Sequence, residues 1–192
     1  MPLLRFISPV VLTFTLSAAL PAQAALRAAP STRATSEVTL TYPEGQAPAD
    51  AKPLVIRVDY GQPHLRGRAL HTDSLVPYDK PWRVGANAAT RFTTDAELVL
   101  GGATITKGTY VLFAVPSRTA WKLIVQKNGS RPEVTYDAAN TIATIDLRSQ
   151  TVVAEQESLT ISLIPATGPG ATRGELRISW GSFAVSADWT VK

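Results

Sequence analysis

Apolar and polar residues alternate along most of this chain with a period of two, which is the pattern of half-buried β-strands. The alternation is clearest over residues 38–42, 54–60, 121–125, 159–163, 176–180 and 183–191. Residues 110–115 are apolar at both parities instead, which predicts a central strand covered on both faces. No window has the period and the caps of a long helix. The pattern therefore predicts an all-β protein.

Glycine-containing turns divide these strands at the spacing of hairpins. Gly101-Gly102 separates two short apolar runs, and Asn128-Gly129 follows the strand that begins at Trp121. About nine or ten short antiparallel strands need two packed faces to bury their apolar side chains. We therefore predict a single antiparallel β-sandwich or jelly-roll-like domain, with a small closed β-barrel as the alternative.

The first residues have the composition of a bacterial export signal. Arg5 precedes an apolar run over residues 6–20, and Ala22-Gln23-Ala24 forms a small-residue cleavage site. This pattern predicts a signal peptide over 1–24, a flexible leader over 25–36 and one β-sandwich domain over 37–192. The mature protein is expected in the periplasm or outside the cell, without a membrane anchor, because the apolar run is shorter than the roughly 20 residues that span a bilayer.

Composition narrows the function classes further. The chain contains no cysteine, so neither a disulfide nor a lipidated cysteine is available. Its formal net charge is +4, an excess too small to indicate binding to nucleic acid. Trp121, Trp180 and Trp189 follow the apolar parity of their strands and are predicted to lie in the core.

One segment, residues 76–90, departs from this regular pattern. It reads V-P-Y-D-K-P-W-R-V-G-A-N-A-A-T, and arginines lie within and before it. Arginine forks and aromatic walls together suit a small anionic or glycan ligand. The candidate ligand-binding residues are Tyr60, Arg66, Arg68, Tyr78, Trp82, Arg83, Asn87 and Tyr110. A second interpretation makes the same segment a packed corner of the sandwich.

No pattern for catalysis or metal binding is present. His64 and His71 stand seven residues apart without a nearby ligand pattern, and no serine lies in a G-x-S-x-G turn. We therefore predict no catalytic residue, no metal and no cofactor, and favour an exported, non-catalytic binding protein. The alternatives are a hydrolytic enzyme of the cell envelope, and a protein–protein interaction module that uses a sheet face or edge strand.

Four motifs in fixed order resemble a bacterial family of exported proteins that is known only as a domain of unknown function. The motifs are Y-G-Q-P at 60–63, R-G-R at 66–68, the segment over 76–90, and K-G-T-Y at 107–110. The resemblance implies one β-rich domain and no established reaction. Gln62, Asp79 and Ala88 depart from the pattern of the family, in which Glu is usual at the position of Ala88. The motif therefore lacks its best candidate for a general acid or base.

Overall fold

The computed structural model describes residues 26–127 and 135–192, and nearly all of its regular secondary structure within these ranges is β-strand. The strands are β1 (Arg33–Leu40), β2 (Leu54–Gly61), β3 (Arg91–Thr94), β4 (Leu98–Leu100), β5 (Ala103–Ile105), β6 (Gly108–Pro116), β7 (Trp121–Gln126), β8 (Thr141–Ser149), β9 (Gln156–Pro165), β10 (Arg173–Gly181) and β11 (Phe183–Val191). A short 3₁₀ turn, Ala138–Asn140, precedes β8. The described residues include no helix with the length and hydropathy needed to cross a membrane.

All strand pairs are antiparallel, and they form a single sheet that curls back on itself. Its order is β1-β2-β3-β6-β7-β8-β11-β10-β9, with the β4–β5 hairpin added beside β11. Strand β9 meets β1 and β2 without a regular ladder, and an isolated backbone bridge pairs His64 with Ser158 of β9. The hydroxyl of Ser36 accepts a 2.8 Å hydrogen bond from the backbone N–H of Leu163, and the hydroxyl of Tyr60 accepts one of 3.1 Å from Ile161. Side-chain hydroxyls and this bridge therefore close the seam of a barrel-like fold.

The interior is built from the apolar parity of each strand. In β10 and β11 the inward residues include Trp180 and Trp189, which are 0% and 1% exposed, and Trp121 in β7 is also buried. Strand β6 is covered on both faces as predicted, because its outward Val111 and Phe113 form a second apolar cluster with Ala89 and Ile124. The alternation in the sequence therefore identifies the core correctly.

The predicted all-β, antiparallel class is confirmed, with eleven strands rather than nine or ten. The sheet is continuous and nearly closed, so it resembles the small β-barrel that was the alternative to a sandwich. The Gly101-Gly102 hairpin is confirmed between β4 and β5. The Asn128-Gly129 turn lies outside the described residues, as does the predicted signal peptide over 1–24.

Two boundaries at the start of the domain need correction. Strand β1 begins at Arg33 and pairs with β2 from there, so the last part of the predicted leader over 25–36 belongs to the sheet. Its polar composition hid this, because Arg33 and Thr35 face outward. At the other end, the alternating run over 38–42 predicts a strand that reaches Tyr42, but β1 ends at Leu40 and Tyr42 is 50% exposed.

Candidate functional site

The irregular segment pairs with β6 at Trp82 and again at Thr90, and leaves the sheet between these two points. Trp82 and Ala114 exchange two backbone hydrogen bonds of 2.7 Å, and the carbonyl of Thr90 accepts one of 3.0 Å from β6. Residues 83–89, here called the 83–89 loop, therefore project out of the ladder opposite the single residue Phe113. The sequence of the 83–89 loop is R-V-G-A-N-A-A.

Two glycines allow the 83–89 loop to pack directly against the end of β2. A Cβ atom on Gly61 would lie 1.9 Å from the carbonyl oxygen of Ala86, and one on Gly85 would lie 2.7 Å from the hydroxyl of Thr90. The N–H of Ala86 donates to the carbonyl of Gly61 at 3.1 Å. The obstacle is backbone at Gly61 and a buried hydroxyl at Gly85, so neither position accommodates a side chain without a shift. This contact explains the glycines of the Y-G-Q-P and G-A-N motifs.

The backbone of the loop is strained at a buried residue. Val84 has φ +42° and is fully buried. A positive φ is unfavourable for a β-branched side chain and costs about 1–3 kcal/mol. The surroundings hold it there, since the hydroxyl of Thr90 donates a 2.7 Å hydrogen bond to the carbonyl of Val84. The loop is therefore fixed in one conformation by its neighbours.

Trp82 anchors the start of the loop in an aromatic cluster. Its ring stacks on Trp180 with centroids 6.2 Å apart, and it meets Trp121 and Phe183 edge to face at 6.3 Å each. Only 7% of Trp82 is exposed. The packed-corner interpretation therefore describes this side chain, while the small exposed part contributes to the wall of a cleft.

An open cleft of about 620 Å³ lies beside the 83–89 loop. Its volume is in the range of small-molecule sites. The loop contributes to its lining, and so do Phe113, Tyr136 and prolines of the segment before Trp82. The cleft is lined by Ser31, Pro63, Arg68, Asp73, Ser74, Leu75, Pro77, Pro81, Trp82, Arg83, Gly85, Ala86, Asn87, Phe113, Thr135, Tyr136 and Trp180.

Positive charge predominates in this lining. Arg68 is held by backbone carbonyls, with its Nε donating to Leu65 at 3.0 Å and its Nη2 to His64 at 2.7 Å. Within the described residues, neither Arg68 nor Arg83 pairs with a carboxylate. The carboxylate of the lining belongs to Asp73, which is fully exposed and lies 3.8 Å from the ammonium group of Lys80.

The structure brings half of the predicted site residues to the cleft: Arg68, Trp82, Arg83 and Asn87. The buried tyrosines have structural roles instead, since the hydroxyl of Tyr60 bonds at the seam and that of Tyr110 donates to the carbonyl of Thr106 at 2.9 Å.

The other predicted residues also lie outside the lining. Arg66 is exposed, and its backbone N–H donates to the carboxylate of Glu157 at 2.8 Å. Tyr78 stacks on His71 at 4.3 Å, with the guanidinium of Arg118 over its other face. Sequence reasoning did not place Ser31, Phe113, Tyr136 or Trp180 at the site, because they come from segments far away in the chain. The one indication in the sequence is that Phe113 is apolar at an outward-facing position of its strand.

The two histidines lie outside the cleft lining. Nδ1 of His64 is 2.7 Å from the hydroxyl of Ser158, which is the distance of a base and a nucleophile. Within the described ranges, no carboxylate bonds to this imidazole to orient it, as a triad requires. The same ranges contain no group of three or more His, Asp or Glu side chains that would hold a metal ion.

Fold and site together define an antiparallel, barrel-like β protein with an open cleft beside a clamped loop. Residues 43–188 match the model of a protein family described as "Protein of unknown function (DUF2911)". The chain belongs to this family, in agreement with the resemblance seen in its motifs. Neither a curated protein nor a solved structure shows significant similarity to the chain.

Proposed function

We propose that the cleft beside the 83–89 loop binds a small organic anion, and that the protein is an exported binding protein rather than an enzyme. The observation that carries this proposal is the pair Arg68 and Arg83, which line one cleft without a carboxylate partner among the described residues. A guanidinium group donates in a planar fork that matches a carboxylate or a phosphate. The ligand class is therefore a small molecule with one of these groups.

The surroundings of Arg68 favour binding because its guanidinium is already oriented. Two of its N–H donors are directed to the carbonyls of His64 and Leu65. Of the five donors of the group, the remaining ones are available to a ligand. Ordering a free arginine side chain on binding costs about 0.5–1.5 kcal/mol, so a side chain that is already held loses less.

The rest of the lining suits an acidic sugar or a similar polyhydroxy acid. Asn87 and Ser74 supply an amide and a hydroxyl, while Tyr136 offers a partly exposed aromatic surface. The exposed carboxylate of Asp73 is the titratable acid of the lining, which provides little basis for paired acid and base catalysis. Export is part of the proposal on the strength of the signal-like residues 1–24.

A thermal-shift panel tests the proposal. Inorganic phosphate, citrate and glucuronate are the probes, and glucose is the neutral control for glucuronate. An acid present at about 100 times its Kd stabilises by about 2.7 kcal/mol, which raises the Tm of a chain of this size by roughly 5–10 °C. We expect the shift to be lost in Arg83→Ala and Arg68→Ala and kept in Arg57→Ala, whose residue lies on β2 beside Glu37. The proposal fails if no acid shifts the wild type, and an equal shift with glucose would replace it with neutral glycan binding.

Hydrolysis remains a second candidate because of one contact, the 2.7 Å approach of His64 to Ser158. This candidate predicts turnover of an ester substrate that disappears in both Ser158→Ala and His64→Gln. Turnover that survives either change eliminates the pair as the origin of activity. The interaction-module alternative has less support, since Ser36 and Tyr60 occupy backbone donors along the edge of β9.

A further inference from the structure

The segment that enters β1 attaches to the 83–89 loop at three points. The carbonyl of Ser31 accepts a 3.1 Å hydrogen bond from the side-chain amide of Asn87. The two terminal nitrogens of Arg33 donate to the carbonyls of Ala88 at 3.1 Å and Ala89 at 3.3 Å. Segments more than fifty residues apart are therefore joined at the wall of the cleft.

Arg33 is itself held in place on the sheet. Its guanidinium pairs with the carboxylate of Asp59 on the neighbouring strand, and the hydroxyl of Thr35 donates to the same carboxylate at 3.2 Å. Burial, and next the charge of Arg91, lowers the pKa of Arg33, yet an arginine stays charged in proteins. The donors of the fork are therefore present at every working pH.

The geometry of these bonds requires an arginine. A guanidinium presents donors on both terminal nitrogens and serves two carbonyls and a carboxylate together. An ammonium group is a compact charge that retains the attraction to Asp59 without the planar fork. The two carbonyls that Arg33 contacts belong to successive residues at the end of the loop that carries Arg83 and Asn87.

We infer that Arg33 is a positioning residue for the anion cleft, holding the 83–89 loop in its binding conformation through the carbonyls of Ala88 and Ala89. The inference deepens the proposed function and rests on it where affinity is concerned. It also explains how the strained backbone at Val84 is maintained, because Gly61 and Arg33, which face each other in the β1–β2 ladder, both hold the loop.

Amide hydrogen exchange tests the inference without any ligand. The reporter is the N–H of Ala86, which bonds to the carbonyl of Gly61. We expect it to exchange at least about tenfold faster in Arg33→Ala and Arg33→Lys than in the wild type, with unchanged exchange in the core strands, because only the loop opens. Arg57→Ala is the matched control, since it removes another outward arginine whose ion pair is with Glu37.

Affinity for glucuronate and inorganic phosphate is measured on the same variants. A loop that holds its binding conformation one tenth of the time raises Kd about tenfold. Wild-type exchange at Ala86 in Arg33→Lys overturns the inference, because the ion pair with Asp59 would then suffice. Faster exchange with Kd changed less than twofold also overturns it. If neither probe binds the wild type, the proposed function has failed, and the exchange rates alone decide whether Arg33 positions the loop.

Discussion

The β10–β11 hairpin and the 83–89 loop are held by different kinds of interaction. In the hairpin, every second residue from Leu176 to Trp180 and from Phe183 to Trp189 enters the core, and the register is continuous. In the loop, stability depends on single contacts, such as the approach of Gly61 to Ala86 and the bonds from Arg33. A repeated pattern specifies the hairpin, whereas individual residues specify the loop.

This difference explains where a ligand site is located. A strand ladder satisfies its own backbone groups and presents flat faces, so it supplies rigidity. The loop departs from the ladder and thereby opens a concave wall with Arg83 and Asn87 on its surface. Binding residues are commonly found on irregular segments that a rigid scaffold positions. We therefore expect some substitutions to affect the whole fold and others to affect the loop alone.

The largest effect is expected where the two regions share an aromatic contact. Trp180 belongs to the hairpin and Trp82 to the start of the loop, and their rings stack at 6.2 Å. Trp180→Ala and Trp82→Ala should each destabilise the protein by about 3–5 kcal/mol in urea unfolding, as buried aromatic truncations do. Trp82→Phe should cost clearly less because most of the packing is retained. A loss below about 1 kcal/mol in Trp82→Ala would show that the loop is not anchored in the core.

A smaller effect is expected at the contact between backbones. Gly61→Ala places a Cβ atom 1.9 Å from the carbonyl of Ala86, so the loop must move away from β2. Overpacking of this kind costs about 1–3 kcal/mol, measured by urea unfolding. Gly168→Ala is the control, since a Cβ atom there meets nothing within 4 Å. Equal stability of the two variants would mean that the loop does not rest on Gly61.

The sequence predicts the regular strands well and the contacts of the loop poorly. Alternation correctly placed the core residues of β2, β7, β10 and β11, because facing inward or outward is a local property of a strand. The contacts of Arg33, Ser31 and Tyr136 with distant segments leave no local pattern. The same limit explains the misplaced leader, because a polar outer strand resembles a loop in sequence. Arg68 and Arg83 were found by residue type alone.

The seam of the sheet should show an intermediate effect of about 1 kcal/mol or slightly more. Tyr60→Phe removes the hydroxyl that accepts the N–H of Ile161 and leaves that donor buried without its partner. Thermal unfolding and the exchange rate of the Ile161 amide report the change. Tyr42→Phe is the control because half of Tyr42 is exposed, and its effect should lie within about 0.5 kcal/mol. Equal effects in both variants would argue against a seam closed by hydroxyls.

The smallest effect on stability is expected from an exposed ion pair between β8 and β11. The guanidinium of Arg148 donates to both oxygens of Asp188 at 2.7 and 2.8 Å, and this hydrogen bonding lowers the pKa of Asp188, with burial opposing it. A lowered folded-state pKa adds stability above the unfolded value of about 3.9, and the gain is lost as pH falls through the lowered pKa.

Asp188→Asn tests this pH dependence. The pair is exposed, so at pH 7 the variant should unfold no more than about 2 °C below the wild type. The difference should shrink as the pH falls through the lowered pKa of Asp188, because the carboxyl of the folded wild type then becomes protonated as well. A difference that stays unchanged from neutral to acid pH would assign the effect of the substitution to packing rather than to charge.

We propose that Arg68 and Arg83 together receive an anion beside the 83–89 loop. An NMR titration of the arginine side-chain Nε–H resonances with glucuronate and inorganic phosphate, with glucose as the neutral comparison, measures this binding directly. We expect saturable shifts of the Arg68 and Arg83 signals with an acid, while those of Arg57 and Arg177, on the outer faces of β2 and β10, stay constant. Shifts that grow linearly and equally at all four arginines would indicate general screening of charge and would rule out a shared anion site.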